Sequence, residues 1–375
     1  MAVTSEPRAA APTVVAWFEA AAAYLNRATP ACPQHGVRHT GKLARSIVLD
    51  LALLDATGEA RHWERAVRRA DDTTSRLAPD PDHGGLIYFP GRLDPRNCSN
   101  SIIDSGECTD AIARLLLHPR ADTLDAGRRA SFTAAVEQNA ETYLARAVLE
   151  KTITNQRLWG AMGLASANRL LPRASWEQAV QAAVERAVDE QRDDGSWGYQ
   201  PRAVKEGAHP GAADLTVYYH GRCLAFLMHI LDAVPGLESE RLTLALRRGL
   251  EFLAAMVTDE GLKPLALEGK RWFWDGSYEA GSNAYDLFAL LRGLQRFGVT
   301  AWQERAARCW QQLCRHQRSD GAIVACAERG RHDVVCPDFH TADLAWTAQV
   351  LLPSPPFPPP PEGEGGFWLG TQSQD

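Results

Sequence analysis

Apolar residues recur along the chain at three- and four-residue intervals in about twelve segments, and no run of strict alternation competes with them. Such spacing lines one face of a helix, so the pattern predicts an all-α protein. The segments fall into six pairs: Thr13–Asn26 with Thr40–Asp55, Arg61–Leu77 with Ser101–His118, Leu124–Val148 with Asn155–Leu171, Ser175–Gln191 with Thr216–Ala233, Arg241–Val257 with Ser282–Phe297, and Ala301–His316 with Thr341–Leu352. Within a pair the first helix is the more charged, as in ARHWERAVRRADD, and the second is flatter and more apolar, as in GRCLAFLMHIL. A charged helix suits a half-solvated outer position and an apolar one a position buried on several sides. Six hairpins of this kind predict an (α/α)6 toroid of two concentric rings, each unit burying its neighbour's face.

Punctuation supports the repeat. Asp82-His83-Gly84-Gly85, Asp194-Gly195, Asp259-Glu260-Gly261 and Asp320-Gly321 follow first helices of hairpins. Glycine there takes the positive φ that ends a helix, and aspartate accepts from nearby backbone N–H groups. After Leu352 the sequence turns to PSPPFPPPPEGEGG, which cannot continue a helix, so residues 1–352 are expected to form one toroid domain and 353–375 a disordered tail.

Composition narrows the functional classes. With 45% hydrophobic and 23% charged residues the chain reads as globular, and a net charge of −6 with interspersed basic residues excludes the basic stripe of a nucleic-acid binder. No apolar run of about 18 residues predicts a membrane span. The first segment reads as a helix, not a signal peptide, and the eight cysteines contain no CxxC pair. Reduced, packed cysteines in a cytoplasmic protein are the expectation.

At QRDDGSW, Gln191, Gly195 and Trp197 fit the Gln-x(2-5)-Gly-x-Trp repeat, and this stretch resembles squalene-hopene cyclases and related terpenoid cyclases, whose turns tie neighbouring outer helices. Gln317 to Ile323 resembles a second copy with the tryptophan replaced. The Asp-x-Asp-Asp acid of those cyclases is absent. Asp338-Phe339-His340-Thr341 and Asp275-Gly276-Ser277-Tyr278 resemble the zinc-binding segments of protein prenyltransferase β subunits, with Ser277 where the family has cysteine. No histidine or cysteine pair has an established ligand spacing, so neither metal nor cofactor is expected. The double ring also resembles polysaccharide lyases and six-hairpin glycosidases and epimerases. That resemblance implies an active site at the open end of the inner ring.

If the inner helices share one direction, their N-terminal turns and preceding loops meet at one mouth. Tyr218, Tyr219, His220 and Arg222 are then candidate catalytic residues, because a guanidinium favours phenolate and histidine titrates near neutrality. The same residues also make a packed, ion-paired helix start. Glu107, with Asp104 at i,i+3 and Asp110 one turn on, supplies carboxylates whose burial raises a pKa, while acids there also suit the helix dipole. His340 is a further candidate base, beside Asp338 and Asp343. Asn155 and Gln156 are placed to hold a substrate carboxylate or to cap their helix. Trp159, Trp272, Trp274, Tyr278, Glu279, Asn283 and Tyr285 add flat rings and amides suited to sugar faces and hydroxyls. Gly160 and Gly163 are read as permitting close helix packing.

These features point to a carbohydrate-active enzyme, a lyase or glycoside hydrolase acting on an acidic or uronate-containing glycan. An isoprenoid cyclase or transferase using the same cavity and a non-catalytic binding scaffold are the alternatives. Paired titratable groups across the mouth would favour an enzyme, and an apolar cavity an isoprenoid. Oligomeric state is left open.

Overall fold

The difference between charged and apolar helices becomes a difference in burial. A computed structural model describes residues 13–27, 40–80, 84–88, 101–199, 217–264, 282–324 and 337–352, the side chains of Tyr218 and Phe339 excepted. Six hairpins are present. The first pairs α1 (Val14–Asn26) with α2 (Thr40–Thr57), and the second α3 (Ala60–Thr74) with α4 (Ser101–Leu117). In the third, α5 (Ala126–Asn139) continues through a π turn at Ala140–Leu144 into α6 (Ala145–Glu150) and pairs with α7 (Thr154–Leu170). The last three pair α8 (Ala174–Asp189) with α9 (Val217–Ala233), α10 (Glu240–Met256) with α11 (Asn283–Phe297), and α12 (Ala301–Arg315) with α13 (Pro337–Leu351).

First helices bury a stripe and second helices nearly everything. Helix α3 buries His62, Trp63, Ala66, Val67, Ala70 and Thr73, a three-and-four spacing that leaves Arg61 and Arg68 exposed. In contrast, α2 buries every residue from Thr40 to Leu51, and α7 every residue from Thr154 to Asn168. Three outer helices start on side-chain caps: Thr13 accepts from Ala16 N–H at 3.2 Å, Asp125 from Arg128 N–H at 2.9 Å, and Ser239 from Leu242 N–H at 3.2 Å.

The inner ring closes. Helices α2, α4, α7, α9, α11 and α13 pack in that order, and α13 returns against α2. The tightest approach is between α4 and α7, where a Cβ on Gly163 would lie 2.5 Å from Gly106 O. Glycine at both positions lets the two backbones meet, the role expected for Gly163.

Outer helices are joined by the Asp-Gly turns. Gln191 Nε2 donates within its turn to Gly195 O at 2.9 Å and across to Ala245 O of α10 at 2.8 Å. Trp197 lies buried beneath, donating to Ala187 O at 2.7 Å. The second copy does the same across the seam: Gln317 Nε2 reaches Trp17 O of α1 at 3.0 Å. Gly321, at φ 92°, sits so close to Ala20 O that a Cβ would collide with it. The last turn therefore grips the first helix, and the outer wall closes between the last hairpin and the first.

One feature departs from the pattern. Helix α3 ends at Thr74, short of the expected Leu77, and β1 (Leu77–Pro79) pairs antiparallel with β2 (Leu86–Tyr88) around the Gly84-Gly85 turn. Three-residue strands are too short to show alternation, so periodicity misses them. The Pro-rich stretch 353–375 lies outside the described residues.

Candidate active site

Close packing of α4 on α7 brings the first turns of the inner helices onto one buried centre. Lys42, the third residue of α2, places Nζ 2.7 Å from Glu107 Oε1 on α4 and 2.7 Å from Asp343 Oδ1 on α13. Its third partner is Tyr285 OH on α11 at 3.1 Å. That hydroxyl donates to Asp343 Oδ1 at 2.8 Å. Trp159 of α7 donates from Nε1 to Glu107 Oε1 at 3.0 Å, and its ring lies 4.6 Å below the Lys42 ammonium. From α9, Arg222 lies 4.4 Å over the Tyr285 ring and 3.4 Å from Asp343 Oδ2. All six inner helices contribute one side chain to this centre, each from its first two turns.

Two carboxylates converge beside it. Asp104 Oδ1 accepts the Gly41 N–H at 2.7 Å. A Cβ at Gly41 would lie 2.9 Å from both Asp104 Oδ1 and Glu107 Oε2, so α2 needs glycine there and the two oxygens cannot be far apart. Their surroundings differ. Glu107 Oε1 is met by Lys42 and Trp159, whereas Oε2 has no hydrogen-bond partner among the described residues. Burial pushes the Asp104 carboxyl up to about 7, with the neighbouring Glu107 charge adding to the rise and the Gly41 N–H and Lys42 opposing it. A carboxyl near neutrality beside one already ion-paired is the environment of an acid and a base at one locus.

Other groups fall into place around this pair. Asn155 is 1% exposed, yet neither amide atom has a hydrogen-bond partner among the described residues. Gln156 Nε2 donates to Tyr199 OH at 3.3 Å, and Tyr199 packs on the half-buried Tyr219 with ring centroids 5.1 Å apart. His340 is fully buried one turn before Asp343, and burial takes its imidazole down to about 4. Burial and Asp343 together push the Tyr285 phenol well above its ordinary value.

The architecture occurs in solved structures. A polysaccharide lyase is 14% identical over 89% of this chain and 95% of its own, with a TM-score of 0.62. A possible member of the GH105 family from Salmonella enterica is 13% identical over 92% of this chain and 96% of its own, TM-score 0.64. The cellobiose 2-epimerase of Bacillus thermoamylovorans is 8% identical over 83% of this chain and 87% of its own, TM-score 0.61. The shared fold is the α/α toroid. No family model and no curated protein matches the sequence.

Against that fold, the expected site residues divide. Asp104, Glu107, Asn155, Trp159, Tyr285, Arg222 and His340 gather around the centre, with Gln156 and Tyr219 beside it. His220 goes elsewhere. Its Nε2 lies 2.8 Å from Gly249 O of outer helix α10, its Nδ1 accepts the Trp197 N–H at 3.3 Å, and its ring stacks on Trp197. Both nitrogens are engaged in fastening α9 to the turn and to the outer wall, and burial takes the imidazole down to about 4. The expectation of a catalytic base at His220 therefore gives way to a structural place. Asn283 is likewise occupied, donating to Gly261 O at 2.8 Å, and Asp338 is half-buried at the start of α13. Trp272, Trp274, Tyr278 and Glu279 lie outside the described residues, as do the Tyr218 side chain and the Asp275–Tyr278 segment.

Sequence reasoning missed Lys42 and Arg45. A usable signal existed: both are charges within TGKLARSIVLDLALL, an otherwise apolar inner helix, where an uncompensated charge is intolerable. Among the described residues, ligand atoms of Glu19, Glu59 and His62 lie within 4.8 Å of one another. Arg61 bridges both glutamates and His62 also meets Asp50, so ion pairing accounts for that group.

Proposed function

We propose that this protein is a carbohydrate-active enzyme, of polysaccharide lyase or glycoside hydrolase type, acting on an acidic or uronate-containing glycan at the mouth of the inner ring. One observation carries the reading: Asp104 and Glu107 converge beside the buried Lys42 centre with unequal surroundings, one pushed up to about 7 and the other clamped by Lys42 with an oxygen left over. Asp104 is the proton donor to a leaving oxygen, and Glu107 Oε2 is the acceptor for a proton from water or from carbon next to a carboxylate. The toroids similar to this chain include a polysaccharide lyase, a possible GH105 member and a cellobiose 2-epimerase.

An acidic substrate is supported by the buried, unmet amide of Asn155, which can donate to a carboxylate. The half-buried Tyr219, packed on Tyr199, offers a ring face for a pyranose. An isoprenoid finds little here: the centre holds Lys42, Arg222, Glu107, Asp343 and Asp104, where a carbocation cavity needs an apolar, aromatic lining. A scaffold gives no reason for titratable groups from six helices to face one another.

The test is turnover of uronate-containing and neutral oligosaccharides by the full chain. Elimination is read from the ultraviolet absorbance of a new carbon–carbon double bond conjugated to the carboxylate, and hydrolysis from new reducing ends. Activity on a uronate oligosaccharide that disappears in Asp104→Asn and Glu107→Gln is the expected result. No turnover of any acidic sugar, or turnover untouched by both substitutions, overturns the reading.

A further inference from the structure

Further along the inner helices a second buried ionic cluster lies outside the proposed chemistry. Asp110 Oδ2 accepts from Arg45 NH1 at 2.6 Å, and Asp110 Oδ1 accepts from Arg114 Nε at 3.0 Å and from Ser166 Oγ at 2.6 Å. His229 Nε2 is 2.9 Å from the same Oδ1, and Arg114 also donates to Gln349 Oε1 at 2.6 Å and to His229 Nδ1 at 2.5 Å. Arginine only donates, so Nδ1 accepts and Nε2 carries the proton toward Asp110. Burial and Arg114 hold His229 below its ordinary value, and Asp110 is held well below its own by Arg114, His229 and Arg45 against the opposing effect of burial. The cluster thus sets two guanidinium charges against one carboxylate.

Arg45 stands between this cluster and the candidate site. Its NH1 is on Asp110, while its Nε lies 3.7 Å from Glu107 Oε1 without a hydrogen-bond partner among the described residues. The guanidinium rests 4.9 Å over Trp346 and donates to Met162 Sδ at 3.3 Å. It is fixed in place by Asp110 and only leans on Glu107. Arg114, at the other end, is 23% exposed on the far side of the ring.

We propose that Asp110, Arg45 and Arg114 form a charge relay of positioning residues that sets, from the far end of the ring, the protonation of the Asp104–Glu107 pair. Asp110 draws Arg45 away from Glu107, and Arg114 weakens that draw by competing for the same carboxylate. The less cation Glu107 receives, the more its charge raises Asp104. Other groups near Asp104 stay constant in the test: the Gly41 N–H and Lys42 from α2, Cys108 on α4, and Tyr143 from the π turn, with Arg76 and Tyr88 facing Cys108. Helix α7 contributes Trp159 and Ser166.

Substitutions at the two ends then act in opposite directions. Asp110→Asn leaves both arginines uncompensated and releases Arg45 toward Glu107, so the Asp104 midpoint falls. Arg114→Gln leaves Asp110 to Arg45 alone, so the midpoint rises. Charge changes about 10 Å away through protein predict shifts of about half a pH unit or more. The measurement is carboxyl carbon NMR titration of the full chain labelled in aspartate, with Asp104 assigned by its loss in Asp104→Asn. It needs no sugar. Opposite shifts that collapse when Arg45→Met is added to each variant support the relay, whereas shifts that persist in the Arg45→Met background are direct through-space effects and overturn it, as do an unmoved midpoint in Arg114→Gln and shifts of one sign. If Asp110→Asn does not fold, the rise in Arg114→Gln and its collapse with Arg45→Met decide alone. The consequence for catalysis rests on the proposed function: the alkaline limb of the pH–rate profile should follow the Asp104 midpoint. Opposite shifts in a chain that turns over no sugar would keep the relay and discard the enzyme, whereas turnover with unmoved midpoints would do the reverse.

Discussion

Two ionic clusters occupy the same ring of helices, and they are built on opposite terms. Around Asp110 every oxygen of the carboxylate is taken, by Arg45, Arg114, Ser166 and His229. Around Lys42 hydrogen-bonding capacity is left over: Glu107 Oε2 and both amide atoms of Asn155 are buried with no partner among the described residues. Unmet buried polar atoms carry a desolvation penalty of about 1–3 kcal/mol each, and a purely structural cluster gains nothing from keeping them. The Asp110 carboxylate is fully met, with Arg45 Nε left over on the side toward Glu107, whereas the Lys42 cluster leaves a carboxylate oxygen and a whole amide open among the described residues.

Breaking the unsaturated cluster at its hub is the largest expected effect. Lys42→Met leaves Glu107 and Asp343, both fully buried, without the ammonium that bridges them, and only the more distant Arg45 (3.7 Å from Glu107) and Arg222 (3.4 Å from Asp343) remain. Removing one partner of a buried ion pair costs about 3–5 kcal/mol, so urea denaturation should show a loss of that size together with loss of any turnover. A variant as stable as the parent would show that the two carboxylates need no counter-charge and would dissolve the contrast between the clusters.

Lys42 also marks how far the sequence could be read. The alternation of charged and apolar helices and the Asp-Gly turns sufficed for the double ring, because each signal is local. The mouth was legible as well, since polar residues such as Asn155, Glu107 and His340 cluster at helix starts. Pairings were not. Lys42 and Asp343 are 301 positions apart, and only closure of α13 on α2 makes them partners. His220 misled for the same reason: neighbouring Tyr219 and Arg222 in sequence suggests one site, whereas successive positions on a helix point to different walls. Here α9 sends Arg222 inward and His220 outward.

Next in size is a pH effect. Asp104 has a folded-state value of about 7, raised from 3.8 by burial. A carboxyl raised on folding contributes stability that is full below its unfolded pKa and is lost as pH rises through the folded one. Asp104→Asn keeps the acceptor for Gly41 N–H and removes the titration. It should match the parent near pH 4 and exceed it by up to about 4 kcal/mol near pH 8, by urea denaturation at each pH, while turnover falls by about 10²–10⁴-fold. Parallel stability curves for the two proteins would mean that Asp104 ionises freely and is no proton donor.

His220→Ala separates wall from site. It opens a cavity beside Trp197 and leaves the Trp197 N–H and Gly249 carbonyl unmet, a loss of about 2 kcal/mol. Turnover per folded molecule should stay at the parent's level. A fall in kcat of tenfold or more at full folding would return His220 to the chemistry.

The finest distinction compares two residues of one helix. Asn155 and Ser166 both lie on α7 and are almost wholly buried, at 1% and 2% exposure, one in each cluster. Ser166→Ala deletes a 2.6 Å hydrogen bond to the Asp110 carboxylate and should cost about 1.5–3 kcal/mol without changing KM. Asn155→Ala deletes no hydrogen bond. It removes a buried amide that nothing satisfies and substitutes a better helix former, so stability should hold or rise by up to about 1 kcal/mol. Any ligand that the amide completes should bind several-fold more weakly. The signs are opposite because satisfaction differs while burial and helix are matched. Equal losses in both variants would show that Asn155 is held as firmly as Ser166, and the mouth of the ring would then be structure of the same kind as its far end.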